Sequence, residues 1–570
     1  MIRFLAAVLG CLFAFAPSAF PAAAPAAGRI APAEFVVVLP AAADAGPGPG
    51  RLFLFVTAET GTEPRFQTKA SLFGLDVRGA TSRQRIVIPA TTPGYPERQL
   101  GDLAPGDYLV QAVYNLLTEF PRADGHTLWA HMDQWEGQNF TRSPGNLYSE
   151  PRRVRVGAGV TARVELPLTN TVPPIVVPAD TAWVQRFKFQ SPLLSRFWGR
   201  PMYLGATVLL PQGYADHPQV RYPVVYLQNH FSLAPAFGFN PAPPTDAPPS
   251  WGRQRAEAAA KGQPRPEPPP GTPATGAYAN VETGSEFFAA WTAPDFPRMI
   301  IVTFQHPTPY FDDSYGVNSP NCGPYGDAIM TELIPEFERR YRTIRAEYAR
   351  VLTGSSTGGW GSLALQLYHP EFFGGAWAFS PDPVDFRLYY GGVDLYRDEN
   401  AFREKTTPGL EGGALMNRRS SQRAAILGTQ EGRFEWWKHT PFGADGYPLP
   451  VWDLQTGKID RAVVEAMRAH NFDLREFLAR TWPQLGPKLV GKLHVYAAAT
   501  DSFYSNFAVR LLDEFMQGTR NPHEPGFFQY GPPSSRHGWQ PVTHAELLQA
   551  MARHMEQRAD AGDRPPAWRY

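Results

Sequence analysis

The stretch that decides the fold is Arg350-Val351-Leu352-Thr353-Gly354-Ser355-Ser356-Thr357-Gly358-Gly359-Trp360. Val351, Leu352 and Thr353 are a short β-favouring run, and Gly361 to His369 reads as a helix. Between them, Gly354-Ser355-Ser356-Thr357-Gly358 fits the Gly-x-Ser-x-Gly pattern, a sharp strand-to-helix turn that lifts one serine to the top of a parallel sheet. Ser356 is that serine. The nucleophile of such a turn sits in a strained backbone conformation, and a Cβ two residues away on either side would collide with the neighbouring strand or helix. The helix that follows aims its N-terminal amides where negative charge develops on the reacting carbonyl.

Outward from this turn, the sequence alternates buried parallel strands with helices. Tyr222 to Leu227, Met299 to Phe304, Ala376 to Phe379 and Leu493 to Ala498 read as strands, and Trp183 to Phe189 with Tyr203 to Leu210 as an antiparallel pair. Helical patterns run over Ala328 to Tyr341, with Ile329, Leu333, Phe337 and Tyr341 every four residues, then Ser362 to Leu367 and Asn506 to Met516. Such alternation specifies an α/β sheet with helices on both faces and the serine at the carboxyl end of a central strand. Residues 28–175 differ: Glu34 to Leu39, Arg51 to Val56, Arg85 to Ile88, Tyr108 to Tyr114, Arg153 to Val156 and Ala162 to Leu168 are β-rich runs without helical periodicity, the pattern of a β-sandwich accessory domain. Trp129 and Trp135 fall between these strands and read as satellite core, with a carbohydrate platform as the alternative. Thr171 to Pro178 is the linker, and 180–570 the catalytic domain, which is expected to fold when expressed from about residue 180. The interval 241–273 carries eleven prolines, a density that reads as an extended, solvated insertion or lid.

At 570 residues the chain exceeds one core. The 53 basic and 53 acidic residues balance without a basic run, which gives no footprint for nucleic-acid binding. Arg3 followed by the apolar run Phe4 to Ala16, with small-residue cleavage sites at Ala22 to Ala27, reads as a signal peptide over 1–27, so that the mature protein is exported, periplasmic or secreted, with no stable membrane insertion. Cys11 and Cys322 are the two cysteines; loss of the leader leaves one thiol, in the turn Asn321-Cys322-Gly323-Pro324, and no internal disulfide. No cofactor or metal is expected, since no histidine and carboxylate cluster has ligand spacing.

An activated serine needs a base, and the base an orienting carboxylate. Just past buried strands stand Asp382, Asp385 and Asp501. Asp501 ends a run of small residues that leaves room for a buried carboxylate and is the first choice; Asp382, in Ser380-Pro381-Asp382-Pro383, is the reserve. Of the later histidines, His523 lies in a turn and His544 and His554 on the last helix. His537, in Ser535-Arg536-His537-Gly538-Trp539, occupies a loop before that helix and is the expected base.

The ordered set of Tyr222 to Leu227, Asn321 to Asp327 with Glu332 to Pro335, the serine turn with Gly359, Asp501, and His537-Gly538-Trp539 resembles an esterase family of α/β-hydrolases over residues 180–556. That family includes esterase D, enterochelin esterases, feruloyl esterases and mycolyltransferases. The resemblance implies Ser356, His537 and Asp501 as catalytic residues. Where the family commonly has His-Gly after the third strand, this chain has Gln228-Asn229-His230-Phe231, and Thr357 stands where an apolar residue is usual. The expected oxyanion donors are the backbone amides of Thr357 and of Phe231 or His230. The expectation is a serine carboxylic ester hydrolase acting on a small-molecule or glycan ester. The alternatives are an acyltransferase on the same fold and a non-catalytic glycan-binding protein on a hydrolase scaffold.

Overall fold

The structure, a computed structural model, describes the chain except residues 1–32, 42–47, 134, 136–138, 158–162, 243–281, 312, 429–439, 561 and 563–565. The expected leader and nearly all of the proline-rich interval lie outside the described residues.

One eight-stranded sheet positions the site. In chain order its strands are β1 (Val184–Ser191), β2 (Met202–Leu209), β3 (Val224–Gln228), β4 (Ile300–Gln305), β5 (Arg350–Ser355), β6 (Gly375–Phe379), β7 (Leu493–Ala497) and β8 (Phe527–Tyr530). Their spatial order is β1-β2-β4-β3-β5-β6-β7-β8. The pairs β1–β2 and β2–β4 are antiparallel and every later pair is parallel. This is an α/β-hydrolase-like fold. The central strands β3 and β5 are buried residue for residue up to Gly354, as expected where helices cover both faces.

Alternate residues divide between two apolar clusters. On β7, Leu493, Val495 and Ala497 join the cluster built from the helices Thr357–Tyr368, Arg461–Ala469, Leu474–Leu489 and Ser505–Gln517. Tyr496 faces the other way, into the cluster that contains Leu547, Leu548, Met551 and Met555 of the helix His544–Arg558. The four-residue spacing of Ile329, Leu333 and Phe337 has a local cause: Tyr325–Ala328 and Ile334–Arg340 are α-helical, but Ile329–Leu333 between them is a π-helix. A widened turn here immediately precedes Pro335, whose ring carries no N–H for the ladder.

The described residues from 33 to 171 include sheets of three and seven strands. Inward residues of both, among them Phe35, Val37, Leu52, Leu54, Val110 and Leu166, share one cluster. The strand Ser71–Ala80 is an addition to the sequence reading. This part is seated on the rest of the chain. The hairpin Thr118–Pro121 with Thr127–Ala130 places Phe120, Leu128 and Ala130 in the cluster beneath the main sheet, and the buried Arg122 guanidinium donates to Asn321 O and Gly446 O. Arg51 Nε donates to Ile426 O at 2.9 Å. Trp135 is buried, with its ring edge-to-face on Phe231 at 4.9 Å, and the backbone of Trp129 exchanges hydrogen bonds with the Tyr447 hydroxyl. Cys322 is fully buried in its turn, and its carbonyl accepts the Trp198 indole N–H. No described helix is long and apolar enough to cross a membrane.

Candidate active site

Ser356 stands between β5 and the helix Thr357–Tyr368 with φ 56° and ψ −122°, a conformation costly for a residue with a side chain. The surrounding backbone holds it there: its N–H donates to Phe379 O of β6, and its carbonyl accepts the Asp382 N–H. The glycines are required by contact. A Cβ on Gly354 would meet Gln228 O and Gly358 C at 2.5 Å, and one on Gly358 would press closer still on the Gln228 carbonyl. Gly359 would meet Phe379 O at 3.0 Å. The turn is therefore closed against the backbones of β3 and β6, which leaves the serine side chain at the sheet's carboxyl edge.

Two strands further on, Asp501 follows β7 and is 5 % exposed. Its Oδ1 accepts the Phe503 N–H at 2.8 Å, and its Oδ2 lies 2.8 Å from His537 Nδ1. The two loops that carry the pair are stitched together. Ser535 Oγ accepts the Ala499 N–H at 2.7 Å, Ser535 O accepts the Thr500 N–H, and Thr500 Oγ1 donates to Pro533 O. Gly538, at φ 77°, lets the chain turn after the histidine. Phe503 packs edge-to-face on the imidazole at 4.8 Å. With a carboxylate on Nδ1, the neutral imidazole carries its proton there and presents Nε2 as a base.

The other histidines have structural partners. His523 Nδ1 meets Thr519 O, and His554 Nε2 meets Gly374 O. His544 is 1 % exposed beside Glu282, whose carboxylate also accepts the His544 backbone N–H. Asp385 is held below the ordinary carboxylate range, burial being outweighed by hydrogen bonds from Arg387 and Arg475. Asp382 is the surprise: Ser356 Oγ donates to its Oδ1 at 3.2 Å. The reserve carboxylate thus touches the serine, while the first choice touches the histidine. In sequence the two aspartates are alternatives for one role; in the structure both stand at the site, and no local signal marks the Asp382 contact.

Of the expected oxyanion donors, Thr357 is the first residue of its helix, so its N–H has no intrahelical acceptor. His230 N–H donates instead to Asn229 Oδ1 at 2.9 Å. Its ring lies 2.9 Å from Asp313. Phe231, the other expected loop donor, packs its ring edge-to-face on Trp135. The loop is fixed by Gln305, whose side-chain amide pairs with both N–H and C=O of Ser232.

Residues 201–440 match the family described as "Putative esterase". The match covers 240 of the 570 residues. It includes Ser356 and Asp382 and ends before Asp501 and His537. The match supports an ester hydrolase over that segment. No curated protein matches it. Solved structures similar to the chain include a ferulic acid esterase (16 % identity, covering 65 % of this chain and 97 % of the other, TM-score 0.34). A fluorophosphonate-binding serine hydrolase of Staphylococcus aureus (13 %, 65 % and 98 %, 0.33) and an S-formylglutathione hydrolase from Agrobacterium tumefaciens (13 %, 67 % and 98 %, 0.32) are also similar. Likenesses of that size do not decide the fold, which stands on the strand order.

Proposed function

We propose that the chain is an exported, periplasmic or secreted esterase in which Ser356, His537 and Asp501 form the catalytic triad. Ser356 Oγ attacks the ester carbonyl, His537 Nε2 takes its proton, and Asp501 holds the imidazole tautomer and stabilises the imidazolium. His537 returns the proton to the leaving alcohol, and water, activated by the same base, releases the acid from the acyl-enzyme. The Thr357 and Phe231 amides stabilise the tetrahedral oxyanion. The observation that carries this reading is the 2.8 Å contact of His537 Nδ1 with the buried Asp501, on loops tied to each other, in a chain whose serine turn is built two strands away.

In the same reading, 1–27 is a leader, 28–175 a β-sandwich accessory domain, and 180–570 the catalytic domain. The shared apolar cluster of the first two sheets supports the sandwich. The substrate is a small-molecule or glycan ester. Turnover of p-nitrophenyl esters and of acetylated and feruloylated sugars, with and without alcohol acceptors, tests the reading and separates hydrolysis from acyl transfer. An inert protein across the panel, or acyl transfer to the acceptor as the dominant outcome, would count against it.

A further inference from the structure

Asp382 is buried to 6 % exposure, and its hydrogen-bond partners among the described residues are hydroxyls and no cation. Oδ1 accepts Ser356 Oγ at 3.2 Å; Oδ2 accepts the Tyr315 hydroxyl at 2.6 Å and Thr357 Oγ1 at 3.0 Å. Arg387 and Arg475 are engaged by Asp385. Tyr389, nearby, is kept firmly in its neutral form by burial, with the Asp382 charge adding to the effect. A buried carboxylate ordinarily has a cationic partner, and three hydroxyl donors stabilise the charge without neutralising it.

The same carboxylate is one wall of a narrow cavity whose other lining is nearly all aromatic, with Trp360, Phe386, Tyr390 and Phe472 among its residues. A carboxylate among these aromatic rings suits a small cation and disfavours an anion. Ser356 Oγ bonds to the acyl carbon in the intermediate. An acyl chain therefore stays within reach of Asp382 through both half-reactions.

We propose that Asp382 and the aromatic cavity behind it form an acyl-group subsite selective for esters of small ammonium-bearing acids, with carboxylate-bearing acyl groups excluded. This rests on Ser356 being the nucleophile. During turnover the Ser356 hydroxyl leaves Asp382 for His537, and the ammonium of the acyl chain takes over as donor to Oδ1. The charge is thus paired in the substrate complex.

Three nearly isosteric p-nitrophenyl esters test it: β-alanyl (terminal ammonium), butanoyl (terminal methyl) and hemisuccinyl (terminal carboxylate). Each kcat/KM is divided by the ester's own hydroxide rate, in the wild type and in Asp382→Asn, and Ser356 labelling by a fluorophosphonate is followed in both proteins. The wild type should rank ammonium over methyl over carboxylate by roughly tenfold per step, a fraction of the Coulomb interaction of close charges in a partly buried site. In Asp382→Asn the three values should converge to within about twofold. A flat or inverted wild-type ranking overturns the proposal even if the variant fails to fold, and so does a ranking that survives in a folded Asp382→Asn. A wild type that hydrolyses the series without fluorophosphonate labelling at Ser356 sinks the nucleophile assignment instead.

Discussion

Asp382 and Asp501 lie just past the ends of neighbouring strands, β6 and β7, and are buried to nearly the same degree, 6 % and 5 % exposed. Their partners differ. Asp501 accepts one backbone N–H and one imidazole nitrogen; Asp382 accepts three hydroxyls, the nucleophile's among them. Burial alone therefore does not select the acid of a triad. In the proposed triad the selection is made by the loop that carries His537, and Ser535 and Thr500 tie that loop to the end of β7. The carboxylate past β6 is left in contact with the serine.

The largest effects are expected where the two halves of this comparison meet. Ser356→Ala and His537→Ala should each lower kcat by roughly 10⁴-fold or more, and the double variant should be scarcely worse, because the pair works as one unit. Steady-state turnover of p-nitrophenyl butanoate measures this, and additive losses would mean that the residues act separately.

Replacing the two aspartates sharpens the contrast. Asp501→Asn should reduce kcat by about 10⁴-fold, since the amide favours the imidazole tautomer with its proton on Nε2. Asp382→Asn removes a charge-assisted hydrogen bond without disturbing that tautomer, so on the neutral butanoyl ester a loss of about 10- to 100-fold is the expected ceiling. The reverse order of losses would exchange the two assignments.

Stability gives a smaller, separate test. The sequence suggests that a chain begun near residue 180 folds alone, but Phe120, Leu128 and Ala130 fill the cluster under the main sheet and would be lost with the first domain. Truncation of buried large side chains costs about 2–5 kcal/mol each. A 180–570 fragment should therefore melt well below the full chain or aggregate; an unchanged melting temperature would show the hairpin contacts to be dispensable.

A third carboxylate provides the smallest effect. Asp473 caps the helix Leu474–Leu489 and is pushed up to about 6, first by burial and then by the Asp385 charge. A raised folded value means that the fold prefers the protonated acid. This contribution is fully present below the ordinary value of 3.8 and is lost as pH rises through about 6. Asp473→Asn keeps a cap acceptor and removes the titration. The melting temperature of the wild type relative to this variant should fall between pH 4 and 7, and a constant difference would contradict the assignment.

Much of this site was legible in sequence because its signals are local. The glycines around Ser356 follow from the close approach of β3, and Asp501 and His537 follow from chain order after the serine. The Ser356–Asp382 contact was not legible, since it depends on how the Ser380-Pro381 turn, with Ser380 at φ 39°, folds back over β5. The strand Ser71–Ala80 was hidden by Gly74, which reads as a turn residue; a Cβ there would strike Ile426 O, a contact 352 residues away in sequence. Pro483 and Pro487 similarly disguise the helix Leu474–Leu489. There Leu474, Leu478, Trp482, Leu485 and Leu489 bury one face, and tertiary packing outweighs the two missing N–H donors.

The triad's central claim is that Ser356, and not its neighbour Ser355, is the nucleophile. The direct measurement is fluorophosphonate labelling with the modified peptide identified by mass, on the wild type, Ser355→Ala and Ser356→Ala. Label on Ser356 in the first two proteins and none in the third is the expected result; label that persists in Ser356→Ala, or that vanishes in a folded Ser355→Ala, would contradict it.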